Sequence, residues 1–177
     1  MTITLIRHAK VKLICKKKCT SAEFDEDCRL YDIAPVEEMT DAPELKAEKV
    51  FISGLDRTLQ TAKQLFGDRD FMKSDKINEV PLRSAFDTGL HLPLWFWNFS
   101  GRLQWFFNSR RQLESKQQTR KRAEEFVKDL MASGDDCTLV THGFFMHTLM
   151  AVMKQNGFKE DKSSLHYKNG EMIILRK

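Results

Sequence analysis

The chain has 177 residues, 41% of them hydrophobic and 31% charged, with a net charge of +4. That length and balance suit one globular domain over residues 1–177 with a sizeable core, and exclude a disordered or fibrous polypeptide. The mild positive excess favours anionic small molecules but falls short of a nucleic-acid footprint, so no nucleic-acid partner is expected. Charge arrives already at Arg7 with no signal-peptide pattern, and no apolar run reaches the roughly 18 residues of a membrane span. A cytoplasmic protein is the expectation. The four cysteines, Cys15, Cys19, Cys28 and Cys137, match no standard zinc or redox spacing and are expected as free thiols.

In chain order, Thr2–Ile6 reads as a buried strand that ends abruptly in Arg7-His8, with the small Ala9 behind them. Residues 9 to about 43 read as a long irregular stretch containing the run Lys16-Lys17-Lys18 and an acidic patch from Glu23 to Asp27. Asp41-Ala-Pro-Glu44 reads as a helix start. Val50–Ser53 is a short strand. Leu55, Leu59, Ala62, Leu65 and Phe66 then keep helical spacing up to Gly67. Residues 69–91 carry little pattern beyond a short strand near Phe71–Lys73.

From Leu92 to Asn108 the chain packs Trp95, Phe96, Trp97, Phe99, Leu103, Trp105, Phe106 and Phe107 around Gly101. That stripe is too wide for a helix with one buried face, so it implies burial or a second contact: a partner subunit forming a homodimer through 95–107, a substrate pocket, or a membrane surface. Residues 80–115 could in that way form a helical cap over a site. A helix is expected over 115–133, from Ala123, Phe126, Val127, Leu130 and Met131, with Gly134 as terminator. Cys137–Thr141 is a buried strand running into His142, and Gly143 opens an apolar helix to about Gln155. Asn169-Gly170, between Leu165–Lys168 and Glu171–Leu175, predicts a β-hairpin with a type I′ turn.

Strands alternating with helices predict a three-layer α/β/α sandwich, with a mainly parallel sheet and an antiparallel edge hairpin. Three strand ends then carry polar chemistry: Arg7-His8, Ser53 leading to Arg57, and Thr141-His142-Gly143. Ligands of open α/β sheets bind outside the carboxyl ends of the strands. Helix N-termini and two planar guanidinium groups suit an oxyanion. The ensemble predicts a phosphate-sized anion site containing an exposed imidazole.

The segments Leu5-Ile-Arg-His-Ala9, Ser53-Gly-Leu-Asp-Arg-Thr-Leu-Gln-Thr-Ala62 and Leu139-Val-Thr-His-Gly143 resemble the histidine phosphatase superfamily, in its phosphoglycerate mutase-like branch. The resemblance implies His8 as the nucleophile of a phosphohistidine intermediate. It implies Arg7, Arg57 and His142, with Gly143, around the phosphoryl group. It also implies that no metal or other cofactor is needed, because cationic side chains take the place of a magnesium ion. A glutamate downstream of the second arginine often protonates the leaving oxygen; Glu79 matches, with Asp87 as a fallback. Ala9, Lys10, Val11 and Ile14 depart from the family's commonest opening, which speaks against a sugar-phosphate mutase. The expected activity is hydrolysis of a phosphorylated small molecule. The alternatives are a phosphohistidine phosphatase acting on a protein, a phosphoglycerate mutase, and a module that binds phospho-ligands without turnover. His147 is expected as half-buried packing, and His91 and His166 as surface residues.

Overall fold

The structure, a computed structural model, describes residues 1–39, 47–161 and 166–177. The expected helix start at Asp41–Glu44, and Leu165, lie outside the described residues. A six-stranded sheet forms the middle layer, built from β1 (Thr2–Arg7), β3 (Val50–Ile52), β4 (Met72–Lys73), β6 (Cys137–Thr141), β7 (Lys159–Glu160) and β8 (Met172–Arg176). Its order is β4-β3-β6-β1-β8-β7. The first four of these run parallel, and β8 and β7 are antiparallel to their neighbours.

The period of two along β1 decides the layers. Ile3 and Leu5, with Leu139, Ile173 and Leu175, face a core made with helix α4 (Lys116–Ser133) and helix α5 (Gly143–Gln155). Ile6, with Val50, Ile52 and Val140, faces Ala62 and Leu65 of helix α2 (Asp56–Phe66) on the other side. Glycines in positive φ end two of these helices as expected, Gly67 at 73° and Gly134 at 71°.

Two expectations fail. The stretch after His8 is not irregular throughout: it contains β2 (Lys18–Cys19) and a 13-residue helix, α1 (Ser21–Ile33). Thr20 and Glu23 cap α1 reciprocally, Thr20 Oγ1 accepting from Glu23 N at 3.3 Å and the Glu23 carboxylate from Thr20 N at 2.9 Å. Only Ser21 and Phe24 of α1 are buried, which is why no apolar period announced it. The expected antiparallel edge pair is present, as β7 with β8, but it is not the tight hairpin at Asn169-Gly170. Residues 168–171 do turn, with Glu171 N donating to Lys168 O at 3.0 Å, but residues 166–168 lie in no strand and β8 pairs with β1 and with the more distant β7. Gly170 has a φ of 75° while Asn169 is not in positive φ, which excludes a type I′ turn.

The aromatic stretch forms helix α3 (Leu94–Phe106), preceded by β5 (Leu92–Pro93), which pairs with β2. Trp97, Gly101 and Trp105 are its buried line. Gly101 is required by close approach, since a Cβ there would lie 2.7 Å from Leu82 Cδ1 and 3.0 Å from Arg83 O. Trp97 is fully buried, donates to Cys19 O at 2.9 Å and lies against Phe24 and Phe86. It ties α1, β2 and α3 together. Trp97→Ala should therefore cost about 3–5 kcal/mol, read as a drop in the denaturant midpoint; a loss within experimental error would show that this cluster does not hold the helices.

Candidate active site

The parallel register sets the site. Arg7 pairs with Thr141, so the ends of β1 and β6 are level, and β3 ends beside them at Ser53. His8 comes directly after β1 with its N–H on Thr141 O at 2.9 Å; the expected exposed imidazole is in fact buried, the residue being 1% exposed, because the loop after β1 and the arginines pack over it. Its Nδ1 lies 2.7 Å from Ala9 O. A carbonyl oxygen only accepts, so Nδ1 carries the proton and Nε2 keeps its lone pair. Burial first, then the charge of Arg57, pushes the His8 pKa down to about 3, with Arg7 acting the same way.

Arg57, in the first turn of α2, has no exposed surface. Its Nε donates to His142 Nδ1 at 3.1 Å and its Nη1 to Asp32 Oδ1 at 2.9 Å, while the Tyr31 ring lies 5.2 Å from its Cζ. Since a guanidinium can only donate, His142 Nδ1 is an acceptor. Its Nε2 therefore carries the hydrogen and donates to Ser53 Oγ at 2.7 Å. His142 is fully buried, and its pKa is lowered well below the ordinary value by burial and then by Arg57. Its ring centroid is 5.1 Å from that of His8.

Arg7 donates through Nη1 to Tyr167 O and lies against Gly143, where a Cβ would sit 2.7 Å from Arg7 Nε. Arg7 Nε and Arg57 Nη2 are both buried without a hydrogen-bond partner. Buried donors are rarely left so, and both belong to arginines whose charge acts on His8. Thr61 completes the loop after β1: its Oγ1 donates to Arg57 O at 2.7 Å and accepts from Ala9 N at 2.9 Å.

Glu79 lies at the N-terminus of α5. Its Oε1 accepts from Val80 N at 2.9 Å and Phe145 N at 3.0 Å, and its Oε2 from Phe144 N at 3.4 Å. Two arginines fix the backbone that carries it. Arg122 donates to Lys76 O at 2.8 Å and Asn78 O at 2.7 Å, and Arg102 to Val80 O at 3.0 Å. A cavity of about 820 Å³ reaches this cluster through Arg57 and Glu79, with further walls from α1, the Asp75–Leu82 segment and α3. Among the described residues, no three His, Cys, Asp or Glu side chains are placed to hold a metal ion together.

The remaining candidates lie elsewhere. Asp87 is exposed and paired with Arg111, and it does not line the cavity. Ile14 is 98% exposed. His147 is exposed rather than half-buried, with its ring 4.8 Å from that of Tyr167; His91 and His166 are exposed. Sequence reasoning missed Asp32, Tyr31 and Tyr167, because only tertiary packing brings them to the arginines. Thr61 was within reach, since it stands inside the segment that carries Arg57.

No curated protein matches this chain in sequence. Solved structures share its fold at low identity. The protein of open reading frame Rv3214 of Mycobacterium tuberculosis is 19% identical with a TM-score of 0.62, over 98% of this chain and 89% of that one. A mycobacterial glucosyl-3-phosphoglycerate phosphatase is 16% identical with a TM-score of 0.58, over 87% and 79% of the two chains. The alpha-ribazole phosphatase of Shigella flexneri is 18% identical with a TM-score of 0.55, over 98% and 89%. The sequence model of the histidine phosphatase superfamily (branch 1) matches residues 3–176, and this chain belongs to that superfamily.

Proposed function

We propose that the protein is a metal-independent phosphatase that hydrolyses a small-molecule phosphomonoester through a phosphohistidine on His8. The observation that carries this reading is the pair of unpartnered, buried guanidinium donors, Arg7 Nε and Arg57 Nη2, beside a neutral imidazole whose Nε2 lone pair is uncommitted. Phosphoryl transfer depends on positioning and on neutralising charge at the equatorial oxygens, which two fixed cations supply. His8 Nε2 attacks phosphorus, the phosphorus–oxygen ester bond breaks, and Glu79 gives its proton to the leaving oxygen. Water then attacks the phosphohistidine, returns a proton to Glu79 and frees His8. Glu79 Oε2, holding only the 3.4 Å contact with Phe144 N, is the oxygen best placed to carry that proton. Both ring nitrogens of His142 are engaged by Arg57 and Ser53, so its first part is to hold the Arg57 guanidinium in place. The 820 Å³ cavity, covered by the 80–115 segment as a helical cap, fits a small-molecule leaving group better than a protein histidine.

Incubation with a labelled phosphomonoester and rapid quenching should leave acid-labile, base-stable label on the wild type and none on His8→Ala. Equal labelling of the variant would refute the nucleophile.

Glu79→Gln should slow an alkyl phosphate by about 10²-fold to 10⁴-fold, the span of general acid catalysis. An aryl phosphate, whose phenolate leaves unaided, should lose much less. Equal losses on both substrates with unchanged thermal stability would remove the acid role from Glu79.

The neutral nucleophile has a pH signature. The His8 and His142 imidazole resonances should stay flat between about pH 5 and pH 8, where an ordinary histidine titrates. Because the His8 pKa falls on folding from 6.5 to about 3, the unfolded chain binds the proton first. Stability present above pH 6.5 should therefore decline as the pH drops from 6.5 towards 3. A His8 midpoint near 6.5 in the folded protein would contradict the geometry.

A further inference from the structure

Helix α3 has a second face that the phosphatase reading does not use. On the face away from the buried line, Trp95, Phe99, Leu103 and Phe106 form a stripe, and they are 68%, 62%, 45% and 50% exposed. Phe107, next in the chain, is 70% exposed. The one ionised side chain of the helix, Arg102, is turned inward, 3.7 Å from the Phe144 ring centroid and bonded to Val80 O. The exposed stripe therefore has no charge of its own, and soluble monomers rarely leave large contiguous apolar surface to water.

Both ends of the stripe are basic. At the first turn, Leu94 N donates to Lys17 O at 3.0 Å and Lys18 pairs with Pro93 in the β2–β5 ladder. Lys17 and Lys18 are exposed and form no ion pair among the described residues. At the last turn, Lys116 Nζ stands 3.7 Å over the Phe106 ring. Nearby acids are committed elsewhere: Glu23 to Lys16 and His91, Asp87 to Arg111, Glu114 to Arg122.

An aromatic and aliphatic stripe bounded by lysines is the arrangement of a helix that lies in a lipid interface, apolar groups at the acyl boundary and cations at the headgroups. We propose that α3 docks this protein onto an anionic bilayer surface, with Trp95, Phe99, Leu103 and Phe106 entering the interface and Lys17, Lys18 and Lys116 meeting the headgroups. A second copy of the chain fits less well. A two-fold contact sets the stripe against itself, and with both ends basic it apposes cations in either relative direction of the helices. Leu94, Asn98 and Arg102 of the same helix line the 820 Å³ cavity, so docking would hold the cavity close to the lipid.

The test needs no catalysis. The full chain is mixed with vesicles of phosphatidylcholine alone, or of phosphatidylcholine and phosphatidylglycerol in equal parts, and the vesicles are sedimented. The protein should sediment with the anionic vesicles in a salt-sensitive way. Its tryptophan emission should shift to the blue through Trp95, because Trp97 and Trp105 are already buried. Phe99→Ser with Leu103→Ser, and separately Lys17→Glu with Lys18→Glu, should each lower partitioning by roughly tenfold or more. Thermal unfolding should be unchanged, since all four side chains are exposed. Wild type left in the supernatant, or bound equally to both vesicle types, would overturn the proposal. So would a concentration-dependent dimer that Phe99→Ser with Leu103→Ser dissolves.

Discussion

The site depends on burying the permanent cation of Arg57 against the His142 imidazole. Removing a guanidinium from water costs several kcal/mol even after relaxation. Here the cost is offset by the bond to His142 Nδ1, the ion pair with Asp32 and the face of Tyr31. Once the cation is fixed, the imidazoles have little choice. A positive charge in a dry site disfavours a second one, so His8 and His142 are both held neutral by burial and by Arg57. The same residue sets the chain after β1, because its carbonyl accepts from Thr61 Oγ1, which in turn accepts from Ala9 N. One side chain thus reinforces what burial does to protonation, sets the His142 tautomer and helps fix the loop after β1.

The other charges obey the same logic of fixing backbone before chemistry. Arg122 forms a two-point pair with Glu114, its Cζ 4.2 Å from the Phe145 ring centroid, and binds the carbonyls of Lys76 and Asn78. Arg102 reaches Val80 O from the far side of the cavity. The segment that bears Glu79 is therefore held at both ends before Glu79 meets the first amides of α5. Dipoles fixed in advance need no reorganisation at the moment of reaction, which is the advantage over water that the proposed mechanism would draw from this arrangement.

Most of this frame was legible in the sequence. The strands β1, β3 and β6 are short apolar runs, and α2, α4 and α5 carry a helical period and terminating residues. The carboxyl ends of those three strands placed Arg7, His8, Ser53, Arg57 and His142 at one edge, and the register of β1 with β6 and of β6 with β3 brings them there. Polar residues stand out at such ends because nothing in strand propensity asks for them.

The illegible parts lie where local signals serve tertiary needs. Helix α1 has a capping box but buries two residues, so its one clear signal stood among polar residues that read as loop. Asp32 and Tyr31, in its last turn, look like any surface pair until α1 packs against α2. Asn169-Gly170 signalled a hairpin and became something else. The Gly170 N–H donates to Arg7 O at 2.9 Å and Asn169 Nδ2 donates to His8 O at 2.9 Å. Those groups are spent on the two residues at the end of β1, and the nearby residue Tyr167 gives its carbonyl to Arg7. Tyr167 lies in no strand of the sheet, and the antiparallel neighbour of β8 on that edge is β7. The turn keeps the tightness that its sequence encodes, but its hydrogen bonds orient Arg7 and His8 rather than close a ladder.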